Sequence, residues 1–307
     1  MTATPLLVTV PDARLRELIG PAPDGAEIVV WDMTTPAPAD EIGIVVLHYF
    51  GAPEGVLERL RGVRVGLVQG QAIGFEAVAA QLPPGHIFAN AATVHEAGAA
   101  EHAVTLALAS RRCLPEFLRG PAGQWPAFAA GPGLIGARVL LLGYGGINQL
   151  VEERLHGFDA EIVRVASTAR EAARGHVHGV AELPELLPGI DVVIAALPHT
   201  PATERLIDAA FLAALPDGAV VVNVARGRIA DTDAIVAEAG RLRFALDVTD
   251  PEPLPSGHPL LSHPAVIVTP HIASRTTGLS QLQAALVRRQ IELMLAGEPP
   301  INVVYRS

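Results

Sequence analysis

Val139-Leu-Leu-Leu-Gly143-Tyr-Gly145-Gly146-Ile147-Asn148 joins an apolar run to a glycine turn, and residues 148–158 (NQLVEERLHGF) continue as a helical segment. Strand, glycine turn and helix in that order open a dinucleotide-binding unit. The first glycine permits the tight turn, the second lets backbone reach a pyrophosphate, and the third allows close helix–strand packing. Tyr144, Gly145, Gly146 and Ile147 are therefore the candidate phosphate-side residues. Asn148 stands at the third glycine position, which predicts a slightly displaced helix or a side chain that contacts phosphate.

On either side of this turn, apolar β-rich runs alternate with helical ones. From Ala137 onward the runs are ARVLLLG, AEIVRVA, DVVIAALP, AVVVNVA, LRFALDV and AVIVTP, six strands of one doubly wound unit. Upstream, residues 6–10, 27–31, 43–48, 63–69 and 86–90 are short strands between helical stretches at 12–19, 53–61 and 74–81, a smaller parallel α/β domain. Residues 95–112 form a long apolar-striped helix, followed by a Gly/Pro-rich loop (119–136) that contains Trp125. The last helix, about 278–296, follows the completed second sheet and is expected to return to the first domain. The fold class is α/β with two Rossmann-like doubly wound parallel-sheet domains. The substrate domain is discontinuous (1–94 plus 278–307) and the dinucleotide domain spans 95–277, with hinges near 92–96 and 274–278.

Composition narrows the chemistry. Half of the 307 residues are hydrophobic and 18% are charged, as in a folded globular protein. A net charge of −10 without any basic run argues against nucleic-acid binding. The chain contains no lysine, which excludes Schiff-base chemistry and a Walker phosphate loop. The single cysteine, Cys113, excludes an intramolecular disulfide and a cysteine-rich metal site, and reads as a small apolar helix residue. No run reaches the ~18 apolar residues of a membrane span, and the N-terminus lacks a signal-peptide pattern, so a cytoplasmic protein without membrane contact is expected.

Three polar runs each end an apolar strand: Val222-Asn-Val-Ala-Arg226-Gly227, Asp247-Val-Thr-Asp-Pro-Glu252-Pro and Thr269-Pro-His271-Ile-Ala-Ser274. Ligands of open α/β sheets bind at the carboxyl ends of strands. An arginine there offers a two-pronged grip on a carboxylate that lysine cannot imitate. A histidine moves protons near neutral pH, and a neighbouring glutamate fixes its ring and favours its charged form. The second strand of the dinucleotide unit ends at Ala166, where an NAD site would carry an acid for the ribose hydroxyls. It continues Ser167-Thr168-Ala169-Arg170, so NADP is favoured over NAD.

With these residues in view, the chain resembles the D-isomer-specific 2-hydroxyacid dehydrogenase family, nearest its glyoxylate/hydroxypyruvate reductase branch. The likeness runs from Val68-Gln69 through Gly74-Phe75, Ala100-Glu101-His102, the glycine turn and Leu197-Pro-His-Thr-Pro-Ala-Thr203 to the three polar runs. It implies hydride transfer between NAD(P)H and a 2-keto or 2-hydroxy acid. In that scheme Arg226 clamps the substrate carboxylate, His271 is the general acid and Glu252 its partner. Backbone amides of the Ala72-Ile73-Gly74 loop would meet the carboxylate. Pro198, Thr203, Val224, Asp247 and Ser274 match cofactor-side positions. A homodimer is expected, with the apolar helix residues 101–110 as its surface and the Trp125 loop reaching the partner.

Tyr49 and Phe50 follow an apolar strand and are candidates to shape the substrate pocket. His199 and His258 are secondary candidates near the proposed cleft, whereas His95 and His102 read as hinge or packing residues. His176 and His178 have a spacing that invites a metal, but no third ligand is apparent, so they read as structural and no metal is expected. The rival reading is a dinucleotide-responsive binding protein or corepressor with the same fold and little turnover, for which Asn148 is the support.

Overall fold

The structure, a computed structural model, describes residues 4–49, 55–120 and 131–307. Phe50 and Trp125 lie outside the described residues. Two compact units emerge, Met1–His95 with Thr276–Ser307, and Glu96–Arg275. The first carries β1 (Leu6–Val10), β2 (Ala26–Val30), β3 (Glu41–Val46), β4 (Arg64–Gln69) and β5 (Ile87–Ala89). The second carries β6 (Arg138–Leu142), β7 (Glu161–Ala166), β8 (Arg170–Ala172), β9 (Gly175–Gly179), β10 (Val192–Ala195), β11 (Val220–Asn223), β12 (Arg243–Leu246) and β13 (Val266–Val268). The chain then returns to the first unit with β14 (Val303–Arg306).

The first sheet runs β14-β5-β4-β3-β1-β2, parallel except for β14, which pairs antiparallel with β5. Side chains alternate between its faces. Val8, Val10, Ile44 and Leu67 pack under Leu15, Ile19, Val287 and Ile291 of the helices Ala13–Ile19 and Leu279–Leu295. Val45, Val68 and Phe88 pack against Trp31, Leu57 and Leu60 on the other face. Burial on both faces is why these strands read as unbroken apolar runs.

The second sheet runs β13-β12-β11-β10-β6-β7-β9-β8. On one face Leu140, Leu142, Val193 and Phe244 meet Phe211, Leu212, Ile229 and Ile235. On the other, Leu141, Ile194 and Val222 meet Ala100, Ala103, Ala107 and Val151 from the helices Glu96–Arg111 and Gly146–Leu155. Six strands were expected here. The added β8–β9 hairpin lies at the sheet edge, where exposed side chains conceal it from apolar-run reading.

Ala103, Val104, Leu106 and Ala107 of the 101–110 helix are buried within their own unit, whereas Glu101 and Thr105 are exposed. One expectation needs correction. Cys113 is not inside a helix. It occupies a left-handed backbone position (φ 54°) between the helices Glu96–Arg111 and Leu114–Arg119. No helix among the described residues is long and apolar enough to cross a membrane.

Candidate active site

The edge formed by β11, β12 and β13 is organised around Asp247, which follows β12 and is 1% exposed. Its Oδ1 accepts the Thr269 hydroxyl at 2.6 Å and the Ile272 amide at 2.9 Å, while Oδ2 accepts the Ala273 amide at 2.9 Å. Burial alone would push this carboxyl up. Hydrogen bonds from His102, Thr269 and the two amides outweigh it and hold Asp247 below the usual carboxylate range. The His102 Nε2 lies 3.1 Å from the Thr269 hydroxyl and 3.5 Å from the Asp247 carboxylate, facing both groups. His102 is thus part of the polar network that shapes this loop, a role its place in an apolar helix does not reveal.

The same network fixes His271. Its amide donates to the carbonyls of Asp247 (2.9 Å) and Thr269 (3.0 Å), holding a left-handed backbone (φ 51°) that a non-glycine residue adopts only when its surroundings demand it. His271 Nδ1 lies 2.6 Å from Glu252 Oε1, and about half of the ring remains exposed. The other Glu252 oxygen accepts the Thr249 amide at 3.4 Å. The secondary candidates lie elsewhere: His258 Nδ1 accepts the Leu260 amide (3.4 Å), and His199 faces Glu204 (3.5 Å).

Arg226 follows β11 through an Asn223 turn. Asn223 accepts the Ala225 amide at 3.0 Å and donates to the Arg226 carbonyl at 3.1 Å, the local bonding for which a strand-end asparagine is suited. The half-buried guanidinium donates to the Ala225 carbonyl at 2.7 Å and has no carboxylate partner among the described residues. Gly227 lets this loop lie against the Glu252 loop, since a Cβ there would collide with the Thr249 carbonyl.

The glycine turn fits a dinucleotide. Gly143 is left-handed (φ 88°), and a Cβ would stand 2.5 Å from Leu197 Cβ. Gly145 caps the ten-residue helix Gly146–Leu155 and its amide donates to the Gly143 carbonyl at 3.1 Å; both Gly145 and Gly146 are exposed at this helix N-terminus. Asn148, however, is fully buried. Its Nδ2 donates to the carbonyls of Leu142 (3.2 Å), Gly143 (2.9 Å) and Ile194 (3.2 Å), so the side chain braces the strand ends and does not reach toward phosphate. The Tyr144 ring is buried too, donating to Glu152 at 2.6 Å, so this residue offers a ligand its backbone only. Ser167, Thr168 and Arg170 are exposed, and Arg170 donates to the Tyr144 carbonyl at 3.1 Å, beside the glycine turn. Pro198 and Thr203 share one loop, tied by the Thr203 hydroxyl on the Pro198 carbonyl (2.7 Å). Ile147 and Ser274 are half-buried, and Val224 is buried.

Within the first unit, the carbonyls of the 71–73 loop are held inward. Gln71 O accepts His95 Nε2 (2.7 Å) and Gln283 (3.1 Å), Ala72 O accepts the Ala91 amide (2.9 Å), and Ile73 O accepts Asn90 (2.8 Å). The amides of Ile73 and Gly74 have no acceptor among the described residues. Tyr49 lines a cavity of about 190 Å³ with His48, Gln71, Ser280 and Gln283.

A doubly wound sheet with a glycine turn at a helix start defines the dinucleotide-binding class of α/β proteins. Comparison with known proteins carries this further. The model for "D-isomer specific 2-hydroxyacid dehydrogenase, NAD binding domain" matches residues 104–273, more than half of the chain. The chain belongs to the D-isomer specific 2-hydroxyacid dehydrogenase family. It is 35% identical to the human glyoxylate reductase/hydroxypyruvate reductase over 213 residues, which span 65% of this chain and 64% of that relative. In structure it is similar to a family member from Xanthobacter autotrophicus Py2 in complex with NADPH and MES (TM-score 0.80, 26% identity, covering 99% and 98% of the two chains). It is also similar to the NADPH-dependent glyoxylate/hydroxypyruvate reductase of Sinorhizobium meliloti in complex with NADP and malonate (TM-score 0.75, 25% identity, covering 98% and 97%).

Proposed function

We propose that this protein is an NADP-preferring reductase of 2-keto acids, reversible toward D-2-hydroxy acids. The observation that carries the reading is the 2.6 Å contact between His271 Nδ1 and Glu252 Oε1. In our reading Glu252 accepts Nδ1–H and orients the ring, so that Nε2 carries the transferable proton. Arg226, without a carboxylate partner among the described residues, grips the substrate carboxylate in two-pronged fashion and polarises the adjacent carbonyl. The family likeness also assigns the Ile73 and Gly74 amides and Tyr49 to substrate binding. A bound nicotinamide dinucleotide supplies the hydride that reduces the carbonyl carbon. His271 gives its Nε2 proton to the carbonyl oxygen and is left neutral, its Nδ1–H still on Glu252. In the oxidative direction it takes that proton back.

Backbone amides of Gly145, Gly146 and Ile147, with that of Tyr144, would hold the pyrophosphate. Ser167, Thr168 and Arg170 would hold the 2′-phosphate, and Pro198, Thr203, Val224, Asp247 and Ser274 would bound the remainder. The similar Xanthobacter and Sinorhizobium structures contain NADPH and NADP, in line with this preference. Asn148, the support for a non-catalytic binding protein, is accounted for as an internal brace. A homodimer belongs to the same reading and rests on the family likeness. The test is oxidation of NADPH and NADH with glyoxylate, hydroxypyruvate, pyruvate and bulky aryl keto acids. Turnover favouring NADPH is expected; dinucleotide binding without turnover of any acid would assign the chain to the binding class.

A further inference from the structure

We propose that His176, His178 and Glu182 form a binding site for a divalent transition-metal ion of the zinc class, on the edge hairpin of the second unit. The residues assigned above to catalysis and dinucleotide binding include none of the three. Alternation along β9 places His176 and His178 on one face, with Val177 between them fully buried on the other. Their rings stand edge to face, with centroids 4.7 Å apart. Glu182, in the turn after β9, brings Oε2 to 2.7 Å from His178 Nδ1. One ligand atom from each of the three residues lies within 4.8 Å of the others. Glu171 stands opposite His176 in the antiparallel register, with its Oε1 2.7 Å from His176 Nδ1.

Zinc binds nitrogen and carboxylate oxygen at ~2.0–2.2 Å, so neighbouring tetrahedral ligands stand about 3.3 Å apart. Small side-chain rotations bring the three groups to that spacing, and the rings can move because they are 47% and 30% exposed. Two imidazoles and one carboxylate leave a fourth position for water or Glu171. Glu182 is prepared for the role. Its other oxygen accepts the Gly179 amide at 2.6 Å, which fixes the carboxylate. The nearby guanidiniums are engaged elsewhere, Arg164 with Glu152 (2.5 Å) and Arg174 with Glu153 (3.7 Å). Because β9 pairs with β7 at Val165↔His178, an ion here would tie the edge hairpin to its terminal turn.

The experiment uses chelator-stripped, tag-free protein titrated with Zn²⁺ by calorimetry and with Co²⁺ by visible absorption. One equivalent of Zn²⁺ is expected to bind per chain, with a Co²⁺ ligand-field spectrum of tetrahedral intensity. Affinity should fall at least tenfold in His178→Ala and in the milder His176→Gln, whose folding is checked by circular dichroism without metal. Zn²⁺ should raise the melting temperature of the parent protein and not that of His176→Gln. No stoichiometric binding in the micromolar range, or equal binding by the parent and both folded variants, would overturn the proposal.

Discussion

The Arg226 guanidinium ends β11 with a backbone carbonyl for a partner and no carboxylate to neutralise it among the described residues. A half-buried cation in that condition favours an incoming anion, and its planar fork suits a carboxylate. Arg226→Lys keeps the charge and loses the fork. Its kcat/KM for keto-acid reduction should fall about 10²–10³-fold, or ~3–4 kcal/mol, the scale of one lost electrostatic donor. Dinucleotide affinity, followed by fluorescence, should stay within about twofold. On the proposed reading, the 2.6 Å contact to His271 makes Glu252 a positioning residue. Glu252→Gln should lower kcat for reduction by about 10–100-fold while leaving KM for the keto acid nearly unchanged, because orientation of the acid matters most in the transition state. An equal rise in KM would assign Glu252 to substrate binding instead.

Between elements, the Glu152–Arg164 pair joins the helix Gly146–Leu155 to β7, and the Tyr144 hydroxyl joins the same carboxylate to the glycine turn. Burial would raise the Glu152 carboxyl; hydrogen bonds from Arg164 and Tyr144 outweigh it and depress the group below its ordinary value of 4.5. A depressed carboxyl stabilises the fold fully above its unfolded value and loses that contribution as pH falls through the folded value. Glu152→Gln should therefore cost about 3 kcal/mol at pH 7, the scale of breaking a buried pair. The gap to the parent protein should narrow in urea unfolding once the pH is taken below 4.5. A gap independent of pH would show that packing, not charge, is what the glutamate supplies. Gly227→Ala sets two loop backbones into collision and should lower both stability and turnover, with the melting temperature as the first readout.

Across the whole chain, legibility in the sequence followed burial. Strands β1, β3, β6, β10 and β11 are covered on both faces, so their apolar runs announce them. The β8–β9 hairpin is not, because His176, His178 and Glu171 face outward at the sheet edge, and Glu182 joins them only through the fold. Arg226, Glu252 and His271 were recognisable by type at strand ends. The pairing of Glu252 with His271 was expected from the family likeness, whereas the Asp247 hydrogen bonds and the left-handed backbone of His271 that accompany it were not. Asn148 misled for a similar reason: sequence places it on a phosphate-binding turn, but three backbone carbonyls draw its amide inward.

Cofactor choice belongs to this scale as well. On the proposed reading, Arg170 on the edge hairpin and the acid-free end of β7 would favour NADP, with an exposed arginine–phosphate contact contributing only ~1 kcal/mol under solvent screening. Ala166→Asp should move the preference toward NAD, and Arg170→Ala should weaken NADPH binding about fivefold and leave NADH unchanged. Equal loss of both would give Arg170 to the fold.

The most direct test of the account is NADPH oxidation with glyoxylate and hydroxypyruvate by the parent protein and by His271→Ala, at equal dinucleotide saturation. We expect turnover by the parent and a loss of about 10²-fold or more in the variant, the contribution of a positioned general acid. Turnover by His271→Ala within a factor of about three of the parent would contradict it.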